Sequence, residues 1–266
     1  MGTPQEITPP NLLGDARQTL DLPDGEIFII SDMHFWPGVD SPAHRAYCYL
    51  NRVFKPKVNV WNGDAFDGAA ISRFPRIGWD SKPKVKDEIV EVKAKSDEVV
   101  LSNQEALRYW PLGNHDARFE TFLASRAPEM EGVPGFTLQD HFPDWTPCWS
   151  LWINDDVVIK HRINGGIHAA RNNTIKSGKT TVTGHTHQLS ICSVTDYTGT
   201  RWGIETGTGA RPLGPQFLDY TEDNPKNWTE GFIVLTFRDG RLLWPEPVVI
   251  GRDGDSFSFR GEIWKL

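Results

Sequence analysis

Apolar runs that stop at clusters of carboxylate, imidazole and amide side chains constrain this chain more than any other feature. Glu26 to Ile30 runs into Ser31-Asp32-Met33-His34, and Lys57 to Trp61 into Asn62-Gly63-Asp64-Ala65-Phe66-Asp67. Arg108 to Leu112 runs into Gly113-Asn114-His115-Asp116, Val157 to Lys160 into His161, and Thr180 to Thr183 into Gly184-His185-Thr186-His187. Short apolar runs bounded in this way read as buried strands. Between the first two, Pro42 to Phe54 reads as a helix, with Ser41 to cap it and Pro42 at its first position. The order strand, island, helix, strand, island is that of a parallel βαβ unit. Open α/β sheets gather residues at the carboxyl ends of their strands into one crevice. The five islands are therefore expected to meet in space, within one α/β domain over 23–266 that follows an irregular arm at 1–22.

Other segments are read more coarsely. Val85 to Leu107 predicts one or two helices outside the sheet, and Pro128 to Trp145 an ordered loop over the active edge. Trp149 to Ile153 and Val157 to Lys160 make a hairpin around Asn154-Asp155-Asp156, and Ile167 to Ile175 a helix. Downstream, Ser190–Thr195, Arg201–Glu205, Phe232–Phe237, Arg241–Ile250 and Phe257–Trp264 alternate as strands, with Asp239-Gly240 as a hairpin turn. Most of the 11 tryptophans are expected in the core.

Composition narrows the partners. With 35 acidic against 28 basic residues, a net charge of −7 offers no global attraction to nucleic acid or to an anionic membrane, although a local basic patch would still allow nucleic acid. No apolar stretch approaches the ~20 residues of a membrane span. Met1 to Leu20 lacks the pattern of a signal peptide, and Glu6 breaks a myristoylation motif. Three widely spaced cysteines outside the islands read as reduced thiols, hence a cytoplasmic protein.

The islands themselves carry metal chemistry. Asp32 and His34 can aim at one ion only if the backbone turns, with Met33 pointing away. Asp64, between Gly63 and Ala65, has two oxygens and can bridge two cations. Asn114 offers a carbonyl ligand, His115 is a natural general acid near neutral pH, and His185 with His187 puts two imidazoles near one point. Each pattern alone has a plainer reading: a solvated turn for Asp32 and His34, a helix cap for Asp67, a structural imidazole for His161. Their succession favours a pair of divalent cations and phosphoester hydrolysis.

In order and content these islands resemble the calcineurin-like metallophosphoesterase superfamily, over about Ile27 to Gln188. The resemblance implies an α/β fold of four layers, two mixed β-sheets packed face to face and flanked by helices. It further implies that Asp32, His34 and His187 hold one metal, that Asn114, His161 and His185 hold the other, and that Asp64 bridges them. A metal-bridging hydroxide would attack phosphorus while His115, oriented by Asp67, protonates the leaving group. Two positions depart from common patterns of that superfamily. Arg162 stands where many relatives have glycine, and Gly68 stands where protein Ser/Thr phosphatases have arginine, which argues against a protein phosphatase.

A donor set of oxygen and nitrogen suits two divalent ions, Mn²⁺ first, with Fe or Zn²⁺ as alternatives. Candidate substrate contacts are Trp36, Arg73, Arg118 and Arg162, together with Phe35, Arg76 and Asn164-Gly165-Gly166. The expected activity is that of a phosphodiesterase on a small or nucleotide-type diester. The alternatives are a DNA nuclease of the same fold, and a catalytically silent binding scaffold, which would require degraded ligands. Oligomeric state is left open.

Overall fold

The computed structural model describes residues 16–74, 79, 81–222, 224 and 226–266. Arg76 and the first fifteen residues of the expected arm lie outside the described residues. In chain order the elements are β1 (Arg17–Leu20), β2 (Gly25–Ile30), α1 (Pro42–Phe54), β3 (Val58–Trp61), α2 (Val85–Ser102), β4 (Leu107–Pro111), α3 (Arg118–Arg126) and the single turn α4 (Leu138–His141). There follow β5 (Thr146–Cys148), β6 (Ser150–Ile153), β7 (Val157–Ile159), α5 (Ala169–Ser177), β8 (Thr180–Thr183), β9 (Leu189–Asp196) and β10 (Gly199–Thr206). The chain closes with β11 (Gly231–Arg238), β12 (Arg241–Leu242), β13 (Glu246–Ile250), β14 (Ser256–Phe259) and β15 (Glu262–Lys265).

Among the described residues these strands form two mixed sheets. The larger runs β15-β14-β13-β11-β2-β3-β4-β5, with β12 paired to β11, and the smaller runs β1-β6-β7-β8-β10-β9. Side-chain alternation on the central strands explains why they stack. Ile27 and Ile29 of β2, Val58 and Val60 of β3, and Ile233 and Leu235 of β11 share one core with Leu151, Ile153, Val157, Ile159, Val182 and Ile204 of the smaller sheet. The opposite faces, including Phe28, Ile30, Trp61, Phe232 and Val234, pack with Ala46, Tyr47 and Leu50 of α1 and Val92 and Val99 of α2. On the far side α5 lies on β8 and β10 so closely that a Cβ at Gly203 would meet the Ala170 carbonyl oxygen at 2.3 Å. Helices, sheet, sheet and helix make the four layers that the resemblance implies.

Local chemistry places the elements that lead to the islands. Ser41 Oγ accepts from the His44 N–H at 3.1 Å, with Pro42 in the first turn, so α1 starts where the sequence predicts. The β2 to β3 pairing is parallel, Ile27 facing Val58 and Ile30 facing Trp61. At Asp239-Gly240 both residues have positive φ (49° and 73°) and join β11 to β12 as a two-residue hairpin.

Several expectations are corrected. Arg17–Leu20, expected within the irregular arm, is an edge strand parallel to β6. It is fastened by Asn154, whose amide bonds Leu22 N at 2.7 Å and Leu22 O at 2.8 Å, and by Arg17 over the Trp152 ring. Of the one or two helices expected over Val85 to Leu107 one is present, as that reading allows, ending at Ser102. The Pro128 to Trp145 segment packs inward instead of over the active edge: Leu138, Phe142 and Trp145 are core residues, with Trp145 stacked on Trp61 at 4.2 Å between ring centroids. Arg241–Ile250 is two strands, interrupted at Pro245, which has no N–H to give a ladder. Phe257–Trp264 is a hairpin turning at Arg260-Gly261. Of the tryptophans, Trp61, Trp110 and Trp145 are buried, Trp149, Trp202 and Trp264 pack against the cores, and Trp79 and Trp244 are exposed. No helix among the described residues is long and apolar enough to cross a membrane.

Candidate metal centre

Every island lies just beyond the carboxyl end of a strand, β2, β3 and β4 in the larger sheet, β7 and β8 in the smaller. The side chains therefore converge at one common edge of the sandwich. Ligand atoms of Asp32, His34 and His187 lie within 4.8 Å of one another, as do those of Asp64, His161 and His185, and those of His34, Asp64 and His115. Asp64 thus reaches both sides: its Oδ2 is 3.1 Å from His161 Nε2 and 4.0 Å from His34 Nε2. His187 Nε2 is 3.2 Å from Asp32 Oδ1. Met33 is buried in the helix-side core, away from this cluster, as its position between Asp32 and His34 predicts.

The turn that Asp32 and His34 need is a left-handed one. Asp32 (φ 53°), His34 (40°), Asp64 (54°), His185 (71°) and His187 (59°) all adopt positive φ, a conformation that costs about 1–2 kcal/mol for an ordinary residue and least for Asp, Asn and His. Main-chain hydrogen bonds hold these bends: Asp32 N to Gly63 O, His34 N to Asp64 O and Gly184 N to His161 O, each 2.9 Å. Gly113 allows the closest approach, since a Cβ there would lie 2.0 Å from Asp64 Oδ1.

Hydrogen bonds from outside the cluster aim the ligand atoms inward. His161 donates Nδ1–H to Asn62 O at 2.7 Å, which leaves Nε2 facing Asp64. Asp64 Oδ1 accepts from His115 N at 2.8 Å, freeing Oδ2. Asp67 Oδ1 is shared by His34 Nδ1 (2.8 Å) and His115 Nδ1 (3.0 Å), so one carboxylate orients a candidate ligand as well as the candidate acid. Asp32 Oδ2 accepts from Ser31 Oγ at 2.6 Å and from His185 N at 2.9 Å. Burial alone would raise the Asp32 carboxyl, yet His187 and His161 outweigh it and hold it at about 2. Asp64 is likewise held well below the carboxylate range, burial being overcome by His161 and His115.

Four buried atoms of these residues, His34 Nε2, His161 Nε2, His187 Nδ1 and Asn114 Oδ1, have no aligned hydrogen-bond partner among the described residues. Buried polar atoms are seldom left so. His34 Nε2 and His161 Nε2 face the Asp64 carboxylate, and Asn114 Oδ1 is an amide oxygen of the kind a cation takes, in a set with two ionised carboxylates and no thiol. The residues present therefore fit divalent ions of the Mn²⁺, Fe or Zn²⁺ kind.

Sequence reasoning assigned no role to several residues around the cluster. Asp116 is fully buried and accepts from Asp64 N and Gly113 N at 2.8 Å, and from Trp110 Nε1 and Phe66 N at 3.0 Å, tying two islands together. In Asp116→Asn at least one of these donors faces an NH₂ group and a charge-assisted acceptor is lost. The expected cost is about 2–4 kcal/mol in denaturant unfolding, and a change below about 1 kcal/mol would contradict the role.

Glu88 of α2 reaches the backbone after Asp67, accepting from Gly68 N at 2.6 Å and Ala69 N at 3.1 Å. Burial, with Asp67 nearby, pushes its carboxyl up to about 8 against those two bonds. Between the unfolded value near 4.5 and about 8 the folded protein keeps a proton that the unfolded chain releases. Stability from this group is therefore fully present below about pH 4.5 and declines as pH rises toward 8, by about 1.4 kcal/mol per unit. Relative to wild type, Glu88→Gln should gain roughly 2–3 kcal/mol between pH 5 and pH 7. Parallel unfolding profiles for the two proteins would show the reading to be wrong.

Phe217 and Trp228 line the other side of the cluster, Trp228 lying 4.3 Å from the His187 ring and Phe217 5.1 Å from both His34 and His187. Glu205 holds the Gly184 loop through Thr186 Oγ1. The signal for these was weak, because they sit far downstream of the islands.

The candidate substrate contacts divide. Arg73, Arg118 and Arg162 line one cleft of about 470 Å³ together with Asn114, whereas Trp36 sits in the turn after His34 and is not among its lining residues. Arg118 also donates to the Asp67 carbonyl at 2.9 Å and lies 3.1 Å from His115 Nε2.

No family model matches the chain, and no curated protein sequence matches it. Solved structures similar in fold include two of Vps29. Vps29 of Entamoeba histolytica, crystallised in complex with Zn²⁺, shares 14% identity over 90% of this chain and 98% of that chain, with a TM-score of 0.49. Vps29 of Chaetomium thermophilum shares 8% identity over 91% and 96% of the two chains, with a TM-score of 0.46.

Proposed function

We propose that this chain is a divalent-metal-dependent phosphoester hydrolase, acting as a phosphodiesterase on a small or nucleotide-type diester. The observation that carries the reading is the convergence of buried Asp32, His34 and His187 on one side and of buried Asp64 and His161 with half-buried His185 on the other, with Asp64 within reach of both. Asn114, its Oδ1 buried and unpartnered, is the residue we assign to complete the second set. Two divalent ions there, when bound, supply an activated water and neutralise charge on the phosphoryl oxygens.

The chain's own residues do the rest. His115 keeps Nδ1 on Asp67, so Nε2 is the atom left to pass a proton to the departing oxygen. Arg118 stands beside that atom and turns from it to a phosphoryl oxygen as the diester enters. Phe217 and Trp228 shield the His34 and His187 rings from bulk water. Cys48, Cys148 and Cys192 are unpaired, in keeping with a cytoplasmic, reducing setting.

The test is a screen of aryl phosphate monoesters and diesters, cyclic nucleotides and DNA with the metal-stripped protein resupplied with Mn²⁺, Fe²⁺ or Zn²⁺. Metal-dependent turnover with diesters ahead of monoesters is expected. Monoester preference would overturn the diesterase choice, and silence with every ion would overturn the hydrolase.

A further inference from the structure

The cleft beside the metal groups is chemically unlike the rest of this acidic chain. Its lining includes Arg73, Arg118, Arg126 and Arg162 and, among the described residues, no Asp or Glu. The Arg126 and Arg162 side chains have no carboxylate partner among the described residues, so their charge is uncommitted. Arg118, Phe122 and Arg126 recur every four residues on α3 and form one stripe, about 12 Å from end to end, that leads away from His115. Phe74 (58% exposed), with the Arg73 guanidinium over one face at 5.2 Å, and Phe122 (41% exposed) are exposed rings, and half-buried Trp149 adds a third. A volume of about 470 Å³ falls within the usual 300–1,000 Å³ of small-molecule sites.

Guanidinium groups recognise phosphate oxygens in paired hydrogen bonds, and exposed rings stack on bases. From this juxtaposition we infer that the cleft is a subsite for a nucleoside phosphate adjoining the phosphate that is cleaved. The substrate is then a nucleotidyl diester that carries at least one further phosphate, either a free dinucleotide or the end of a single strand. The inference rests on the proposed phosphodiesterase reading and names the substrate class of that same site. Arg162, next to His161, and Arg118, beside His115, meet the phosphate nearest the reaction, and Arg126 meets the distal one.

The test compares the thymidine dinucleotide TpT with pTpT and TpTp, and these with an eight-residue oligothymidylate, on the full chain. Binding is measured by calorimetry in EDTA, and turnover in Mn²⁺. One of the end-phosphorylated dinucleotides should bind at least ten-fold tighter than TpT, with the advantage shrinking as salt rises. Arg126→Ala should reduce that advantage to about two-fold or less, and Arg126→Lys should retain part of it. Equal binding of all three dinucleotides, or an advantage that survives in Arg126→Ala, overturns the subsite, whatever the activity. An Arg126-dependent advantage without turnover of any diester upholds the subsite while the phosphodiesterase reading falls. Preference for the oligomer identifies a strand as the source, and parity with the dinucleotide identifies the free dinucleotide.

Discussion

Replacing Asp64 with asparagine is expected to lower metal-dependent turnover by at least about 10³-fold, a loss of roughly 4 kcal/mol in transition-state stabilisation. The size follows from how its two oxygens are divided. Oδ1 is occupied by the His115 N–H at 2.8 Å, so only Oδ2 faces the histidines on either side. An asparagine has one acceptor for these two tasks. If its oxygen stays on the His115 N–H, an NH₂ group points at the imidazoles and at the cations they would hold, placing donors against donors. If it flips, the Asn114-His115 backbone loses its tether and both side chains shift. Metal content by mass spectrometry should fall with activity in this variant. Near-wild-type turnover at saturating Mn²⁺ would remove Asp64 from the bridge, and with it the paired-cation reading.

Legibility in the sequence followed the range of the interactions involved. Strand ends, the Ser41 cap and the Asp239-Gly240 turn depend on residues within a few positions of one another, and they occur where the spacing predicts. The islands were legible because each carries unusual side chains directly after an apolar run. What closes the site was not, since it comes from far along the chain. Thr208 Oγ1 donates to Asp32 O at 2.8 Å, Gly209 N to Ser31 O at 2.7 Å, and Ser41 Oγ to Gly209 O at 2.7 Å, across separations of 168 to 178 residues. The same return of the chain brings Phe217 and Trp228 to His187. No local pattern encodes such a pairing. Nor does composition announce that five candidate ligands take left-handed backbone, because Asp and His tolerate that region without needing the glycine that would mark it. Helix α3 was overlooked for a different reason. It begins at Arg118, two residues past the Gly113 island, with no side-chain cap to announce it. The arginine cleft depends on that helix and so could not be assembled from sequence, although three of its four arginines were singled out individually.

His115→Ala should separate proton transfer from metal binding. The His115 ring packs edge-on against His34 with centroids 4.6 Å apart, and its nitrogen lies within 4.8 Å of ligand atoms of His34 and Asp64. Geometry alone therefore admits it either as a ligand or as an acid. Its hydrogen bonds favour the acid. Nδ1 is held by Asp67, through both Oδ1 and the backbone oxygen at 3.0 Å, which leaves Nε2 to carry the proton once the Arg118 guanidinium beside it has turned to the phosphate. An acid contributes most where the leaving oxygen is most basic. Turnover of a nucleoside diester should accordingly fall about 10²–10⁴-fold in His115→Ala, turnover of bis(p-nitrophenyl) phosphate should change little, and bound metal should be unaltered. Asp67→Asn provides the contrast, because its Oδ1 also fixes His34 at 2.8 Å. That variant should lose metal affinity by about 10–100-fold as well as rate, and should do so on both classes of substrate. Loss of metal from His115→Ala would make His115 a ligand, and full activity on the nucleoside diester would leave the leaving oxygen to be protonated by another group. Only a rate loss that grows with leaving-group basicity, at constant metal content, is compatible with a proton delivered from Nε2.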